Sequence, residues 1–265
     1  MGHPEHPERP APWLRLSDLA DRYRRFLLVS HVNADGDSVG SLAGFGYTLR
    51  DLGKEVLLLQ ADGIPESFRH VLGDLPLLDL VTTPAPLPPA LPWEVTLFLD
   101  AGEWHRVGKA EPYVRQYGGK VVRLDHHEGG QRFSECDIVD PTLACTGEIL
   151  AEWREAEGWP LTRPVAEALY LALMTDTGSF RFANTSPGTL RKAADCLAAG
   201  VDPDQVYRKV HANFRPARLA MLKLALDTLV LEEGGRLAWF CQTREMYRAS
   251  GATEEDLVDF LEYFR

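Results

Sequence analysis

The residues best equipped for chemistry stand directly behind short apolar runs. FLLVS (26–30) leads into His31, with Asp35 and Asp37 just beyond, VTLFL (95–99) into Asp100, and VVRL (121–124) into Asp125-His126-His127. Asp176 closes the helical-looking stretch RPVAEALYLALMTD. Buried strands that stop in carboxylates and imidazoles put those groups at one edge of a sheet, where open α/β sheets bind ligands. Two acids as close as Asp35 and Asp37 repel each other in a small volume unless cations neutralise them. One such loop alone reads more simply as loop acids or caps of a helix at 38–52. Four aspartates (Asp35, Asp37, Asp100, Asp176) and two histidines (His31, His126) together suffice for two divalent ions, four negative charges offsetting four positive ones. A carboxylate-rich set favours Mn²⁺ or Mg²⁺ over Zn²⁺, and imidazole tilts the choice toward Mn²⁺.

The elements that must position these groups follow from patterning. WLRLSDLADRY is a short amphipathic helix feeding a strand at 26–30, SLAGFGYTLRDLG a helix ending at Gly53, and EVLLLQ (55–60) a second buried strand. Strand–helix–strand at this spacing is a βαβ unit with a right-handed crossover and a parallel sheet. TTPAPLPPALPW (82–93) carries five prolines and is a surface connection. A strand at 95–99, a helix near 107–117, a turn at Gly118-Gly119 and a strand at 120–124 come next. Thr146 is placed to cap the helix GEILAEWREAEG, Pro164 to open another. Helices are expected at 189–199, from Pro203, and over 216–231. Near residue 234 the pattern changes: GGRLAWFCQ reads as a new strand, and TEEDLVDFLEYF as a helix with a capping box from Thr253 to Asp256.

Bulk properties narrow the class. The 265 residues are 45% hydrophobic and 25% charged, an ordinary globular balance, with no apolar run near the ~20 residues of a membrane span. MGHPEHPERPAPW lacks the apolar centre of a secretory signal and reads as a Pro-rich, disordered tail (residues 1–12). Four scattered cysteines without a CxxC pair fit neither a zinc knuckle nor a disulfide framework, so a cytoplasmic home is the expectation. A net charge of −11 argues against coating long duplexes. Residues 181–223 nevertheless hold eight basic residues against three acids, either a surface for a small anionic substrate or a set of solvated helix faces.

HVNADGDSVGS, Asp100, LDHHEGG and MTDTGSFRF, in this order and at this spacing, resemble the four motifs of the DHH phosphoesterases, over roughly residues 20–230. ACTGEIL and MTDTGSFRFANTS are most similar to the oligoribonuclease (nanoRNase) branch, whose members also dephosphorylate 3′-phosphoadenosine 5′-phosphate. The resemblance implies an α/β fold with a parallel sheet and helices on both faces. It implies two metal ions, Mn²⁺ first with Mg²⁺ or Co²⁺ as substitutes. His31 and Asp35 would hold the first and Asp37, His126 and Asp176 the second, with Asp100 bridging them. Asp125 would support the histidine pair, and His127 would face the substrate phosphate. Arg181, five residues past Asp176, is a candidate phosphate clamp, with a surface arginine as the plain alternative. Phe180 and Phe182 are assigned to the core; His70 and His105 have no nameable partner.

The implied substrates are short single-stranded 5′-phosphorylated oligonucleotides, RNA or DNA, or nucleotide phosphates, and a homodimer is an assembly the resemblance allows. Members of this branch carry a C-terminal substrate-binding domain (DHHA1) with a Gly-rich motif ending in histidine. No such motif occurs here, so residues 13–231 are expected to form the DHH domain and 232–265 the start of that second domain. An inorganic pyrophosphatase, a cyclic-dinucleotide phosphodiesterase and a non-catalytic nucleotide-binding protein are the competing readings.

Overall fold

The structure, a computed structural model, describes residues 11–83, 92–129, 133–134, 136–211 and 215–257. The chain divides into two compact units, residues 1–206 and 207–265. The larger unit opens with α1 (Ala11–Arg22), β1 (Arg25–Val29), α2 (Gly36–Asp51), β2 (Glu55–Gln60), a one-turn α3 (Glu66–Arg69) and β3 (Leu77–Asp79). It continues with β4 (Val95–Leu99), a 3₁₀ segment (Trp104–Ala110), α4 (Glu111–Tyr117), β5 (Lys120–Asp125) and β6 (Cys136–Val139). α5 (Thr146–Glu157), α6 (Arg163–Asp176) and α7 (Pro187–Ala198) follow, and α8 (Pro203–His211) runs across the division between the units.

The six strands form one sheet in the order β3-β2-β1-β4-β5-β6, every pair parallel. Strand order reverses direction between β1 and β4, so the crevice at their carboxyl ends is the topological switch point. Register brings the ends level, Val29 opposite Phe98 and Leu99 opposite Leu124. The residues that follow, His31, Asp100 and Asp125, therefore share one edge.

Both faces of the sheet are covered, which is why β1 and β4 read as unbroken apolar runs. Leu27, Val29, Leu59 and Phe98 pack on one face against Val107, Tyr113 and Val114. On the other face, Leu58 lies under α2, a contact distance from Gly46. α2 also meets α6 through small residues. A Cβ on Gly36 would stand 2.3 Å from the Thr175 side chain, and one on Gly40 2.5 Å from the Ala168 carbonyl. Gly36 has no positive φ, so this close approach, not backbone freedom, is what excludes a side chain there.

The smaller unit holds α9 (Pro216–Leu226), β7 (Val230–Glu232), β8 (Leu237–Trp239) and α10 (Arg244–Ser250). Its core is Met221, Ala225 and Ala252 with Phe240, Met246 and Tyr247 against them. β7 and β8 pair antiparallel, so the helix expected over 216–231 stops at Leu226 and the expected strand near 237 is the second arm of a hairpin. The unit boundary falls at 206/207, earlier than 231/232, because α9 packs on α10. Asp256 accepts from the Thr253 backbone at 2.8 Å, as the capping box requires, though only a 3₁₀ turn (Glu254–Leu257) is described there.

β3 and β6 have no counterpart in the sequence reading, and α1 begins two residues inside the stretch assigned to the tail. The remainder of that tail and most of the proline-rich connection lie outside the described residues. Among the described residues no helix is long and apolar enough to cross a membrane.

Candidate metal centre

β1, β4 and β5, the N-termini of α2 and α5, and the C-terminus of α6 converge at the switch point. His31 is 4% exposed, and its Nδ1 lies 2.7 Å from the Val32 carbonyl. A backbone bond at one ring nitrogen fixes the tautomer, leaving Nε2 to face the carboxylates. Nε2 is 3.2 Å from Asp100 Oδ2 and 3.6 Å from Asp35 Oδ2. Burial disfavours the charged ring, but hydrogen bonds to Asp100 and Asp35 outweigh it and lift the pKa to about 10.

Asp35 serves two neighbours. Its Oδ1 caps α2 by accepting from the Ser38 backbone at 2.9 Å, while Oδ2 faces His31. Asp37 is 1% exposed in the first turn of α2. It accepts backbone N–H groups of Thr146 at 2.7 Å and Gly147 at 2.9 Å and the Ser41 hydroxyl at 3.1 Å. The carboxylate of one helix thus caps another, whose own N-cap residue, Cys145, makes no side-chain cap. Thr146 is not the cap; it lies inside α5 and donates its hydroxyl to Asp100 Oδ1 at 3.2 Å.

Asp100 follows β4 in a left-handed conformation (φ 57°), strained for a residue with a Cβ. Its Oδ2 faces His31, and its Oδ1 lies 3.8 Å from His126 Nε2 and 3.3 Å from His127 Nδ1. His126 Nε2 is also 3.2 Å from Asp176 Oδ2 and 3.9 Å from Asp37 Oδ2. Donor atoms therefore group as His31-Asp35-Asp100 and Asp37-His126-Asp176, with Asp100 reaching toward both histidines. A further grouping joins Asp100 to His126 and His127.

Two observations fit this donor set to divalent cations. His126 Nε2 is buried, aimed at three carboxylates, and makes no hydrogen bond. Burial and the neighbouring His127 depress its pKa, so the ring is neutral as a ligand must be. The acids meanwhile crowd one another. Burial and repulsion from Asp100, Asp176 and Asp35 push Asp37 well above the carboxylate range. Burial and the charges of Asp100 and Asp35 lift Asp176 to about 7. Cations between them would remove that penalty.

Asp125 hydrogen-bonds to one member of the histidine pair. It accepts from His127 through the backbone N–H (3.0 Å), with Nδ1 at 2.9 Å, and from the buried Arg123 guanidinium at 2.8 Å. Burial alone would raise Asp125, yet these bonds hold it at about 2. The His127 side chain is 62% exposed. Arg181 is exposed on a loop with Gly178, Ser179 and Phe180 all at positive φ, and its Nε donates to the Gly178 carbonyl at 2.7 Å. Phe182 is 41% exposed and lies on Gly178, so it is not a core residue, whereas Phe180 packs on Tyr170. His105 pairs with Glu103 and His70 with the Ser67 carbonyl.

Three positioning groups were not anticipated. Asn184 Nδ2 donates to the Asp176 and Ala144 carbonyls, tying α6 to the loop ahead of α5. Gln60 Nε2 donates to the His31 carbonyl at 2.9 Å. Arg123 had a visible signal, a guanidinium inside a strand that must be buried.

Fold and cluster together define a doubly wound α/β protein that gathers carboxylates and imidazoles of four chain segments at its switch point. The chain belongs to the DHH family: the family's N-terminal domain model matches residues 25–173. A bifunctional oligoribonuclease and PAP phosphatase NrnA of Thermus thermophilus is 33% identical over 239 residues, 90% of this chain and 68% of that protein. A protein of the same name from Bacillus subtilis is 24% identical over 247 residues, 90% of this chain and 74% of that protein. An exopolyphosphatase-related protein of Bacteroides fragilis shares the fold at a TM-score of 0.85 and 22% identity, covering 96% of this chain and 76% of that chain.

Proposed function

We propose that this protein hydrolyses short 5′-phosphorylated oligonucleotides to mononucleotides, and removes a phosphate from 3′-phosphoadenosine 5′-phosphate, with two divalent cations, Mn²⁺ foremost. The observation that carries the reading is Asp100, a strained carboxylate with one oxygen toward His31 and the other toward His126. His31 and Asp35 would hold one cation, Asp37, His126 and Asp176 the other, and Asp100 both. Bound cations would supply a nucleophile at neutral pH and offset charge on the phosphoryl oxygens. The names of the Thermus and Bacillus relatives support the substrate class.

The chain's own groups do the rest. The α5 N-terminus holds Asp37 in one orientation, so its donor atoms need no rearrangement. His127, held by Asp125 and open to solvent, would donate a proton to the leaving oxygen. Arg181 would clamp a substrate phosphate.

One preparation, with Mn²⁺, is offered a labelled 5′-phosphorylated dinucleotide, 3′-phosphoadenosine 5′-phosphate, pyrophosphate and a cyclic dinucleotide. The first two should turn over fastest. Preference for pyrophosphate or the cyclic dinucleotide, or silence on all four, would contradict the reading.

A further inference from the structure

Arg123 is a charged side chain in the middle of a buried strand, 3% exposed. Its guanidinium donates through Nε at 3.2 Å and Nη2 at 2.8 Å to Asp125 Oδ2, and through Nη2 to the Gly129 carbonyl at 3.1 Å. One side chain thus holds both ends of the turn that carries His126 and His127. With Oδ2 engaged by the guanidinium, Asp125 presents Oδ1 to the backbone N–H and the Nδ1 of His127. Gly102 leaves the room this needs: a Cβ there would stand 3.1 Å from Arg123 Nη2 and 3.4 Å from Asp125 Oδ2. The planar fork makes these contacts from one orientation, which a lysine ammonium does not reproduce.

We infer that Arg123 is a positioning residue that sets the orientation of the His127 ring toward the substrate phosphate, acting through Asp125. The guanidinium fixes which carboxylate oxygen faces the ring, and the ring answers by placing Nδ1–H on it. Nε2 is then the atom presented outward for proton exchange with substrate. This rests on the phosphoesterase reading for its consequence, but not for its geometry.

The test is a double-mutant cycle on the dinucleotide with R123M and H127A, beside Mn²⁺ binding and a spectroscopic readout. R123M should lower kcat by about 10–100-fold with KM and Mn²⁺ affinity little changed. In the H127A background the same substitution should cost nothing further, because both changes remove one unit. Independently of turnover, ¹H–¹⁵N NMR of the chelated protein should show the His127 Nδ1–H held against exchange by its bond to Asp125 in the wild type and exposed to exchange in R123M. R123K keeps the buried charge balanced and carries the same comparison should R123M fail to fold. An equal loss in both backgrounds, or an unchanged His127 signature in the variant that folds, overturns the inference. If the wild type hydrolyses none of the substrates, the phosphoesterase reading falls while the NMR comparison still decides the role of Arg123.

Discussion

Asp35 shows that a bland and a functional reading of one residue need not compete. It is a helix cap through Oδ1 and a neighbour of His31 through Oδ2, and the same carboxylate does both because its oxygens point apart. Asp37 likewise caps α5 from outside that helix while pointing at His126. Such double duty was half legible: residue type and spacing named the acids, but only the tertiary arrangement shows which helix each one caps. Asn184 was missed because its partners, the Asp176 and Ala144 carbonyls, are visible only once the chain is folded, whereas Arg123, two residues before Asp125 on one strand, was open to detection as a charge in a buried strand. Crowding of the acids has a measurable sign. Asp176, lifted to about 7, binds its proton more tightly folded than unfolded. Its contribution therefore lowers stability as pH climbs from about 4 toward 7, and the loss persists above. In chelated protein, D176N should melt several degrees above wild type near pH 8, the gap closing below about pH 4. Equal melting temperatures at the higher pH would contradict the crowding.

At the scale of elements, the central strands were legible because covering both faces demands unbroken apolar sequence. β3 and β6 were not, being short edge strands, LLD and CDIV, with no period to detect. The run at 216–231 misled because LALDTLVLEE suits a helix locally, while Thr228 turns the chain by donating its hydroxyl to the Ala225 carbonyl. The α2–α6 seam was invisible for a different reason: glycine in a helix carries no signal of what approaches it. G40A should test the seam. Its Cβ would meet the backbone carbonyl of Ala168, which cannot swing aside, whereas G44A meets Leu150 Cδ2, the end of a flexible side chain. Overpacking of this kind costs about 1–3 kcal/mol, so G40A should lose that much in chemical denaturation and G44A distinctly less. It should also weaken Mn²⁺ binding, because α2 and α6 carry Asp37 and Asp176. Equal stabilities for the two variants would remove the seam from the account.

At the scale of the molecule, the fold class was legible, and the acids and histidines do gather at one sheet edge, but the charge count was a poor guide to surface. Of the eight basic residues between 181 and 223, Lys192 is buried between Glu148 and Glu152, and Arg215 and Arg218 bind Asp256. A sum over sequence cannot tell a free cation from a paired one. The side chains proposed as ligands all belong to the larger unit, so cations should stabilise that unit. Mn²⁺ at about 100 times its Kd adds about 2.7 kcal/mol to a state that binds it, which should raise the melting temperature of the wild type and not of D100A. A rise of the same size in D100A would mean binding elsewhere. Two cations joined by the strained Asp100 carboxylate would be seen by electron paramagnetic resonance of the Mn²⁺-loaded protein. The wild type should show two ions per chain with the signal of an exchange-coupled pair, and D100A should lose the coupling. One ion per chain, or two uncoupled ions in the wild type, would contradict the account.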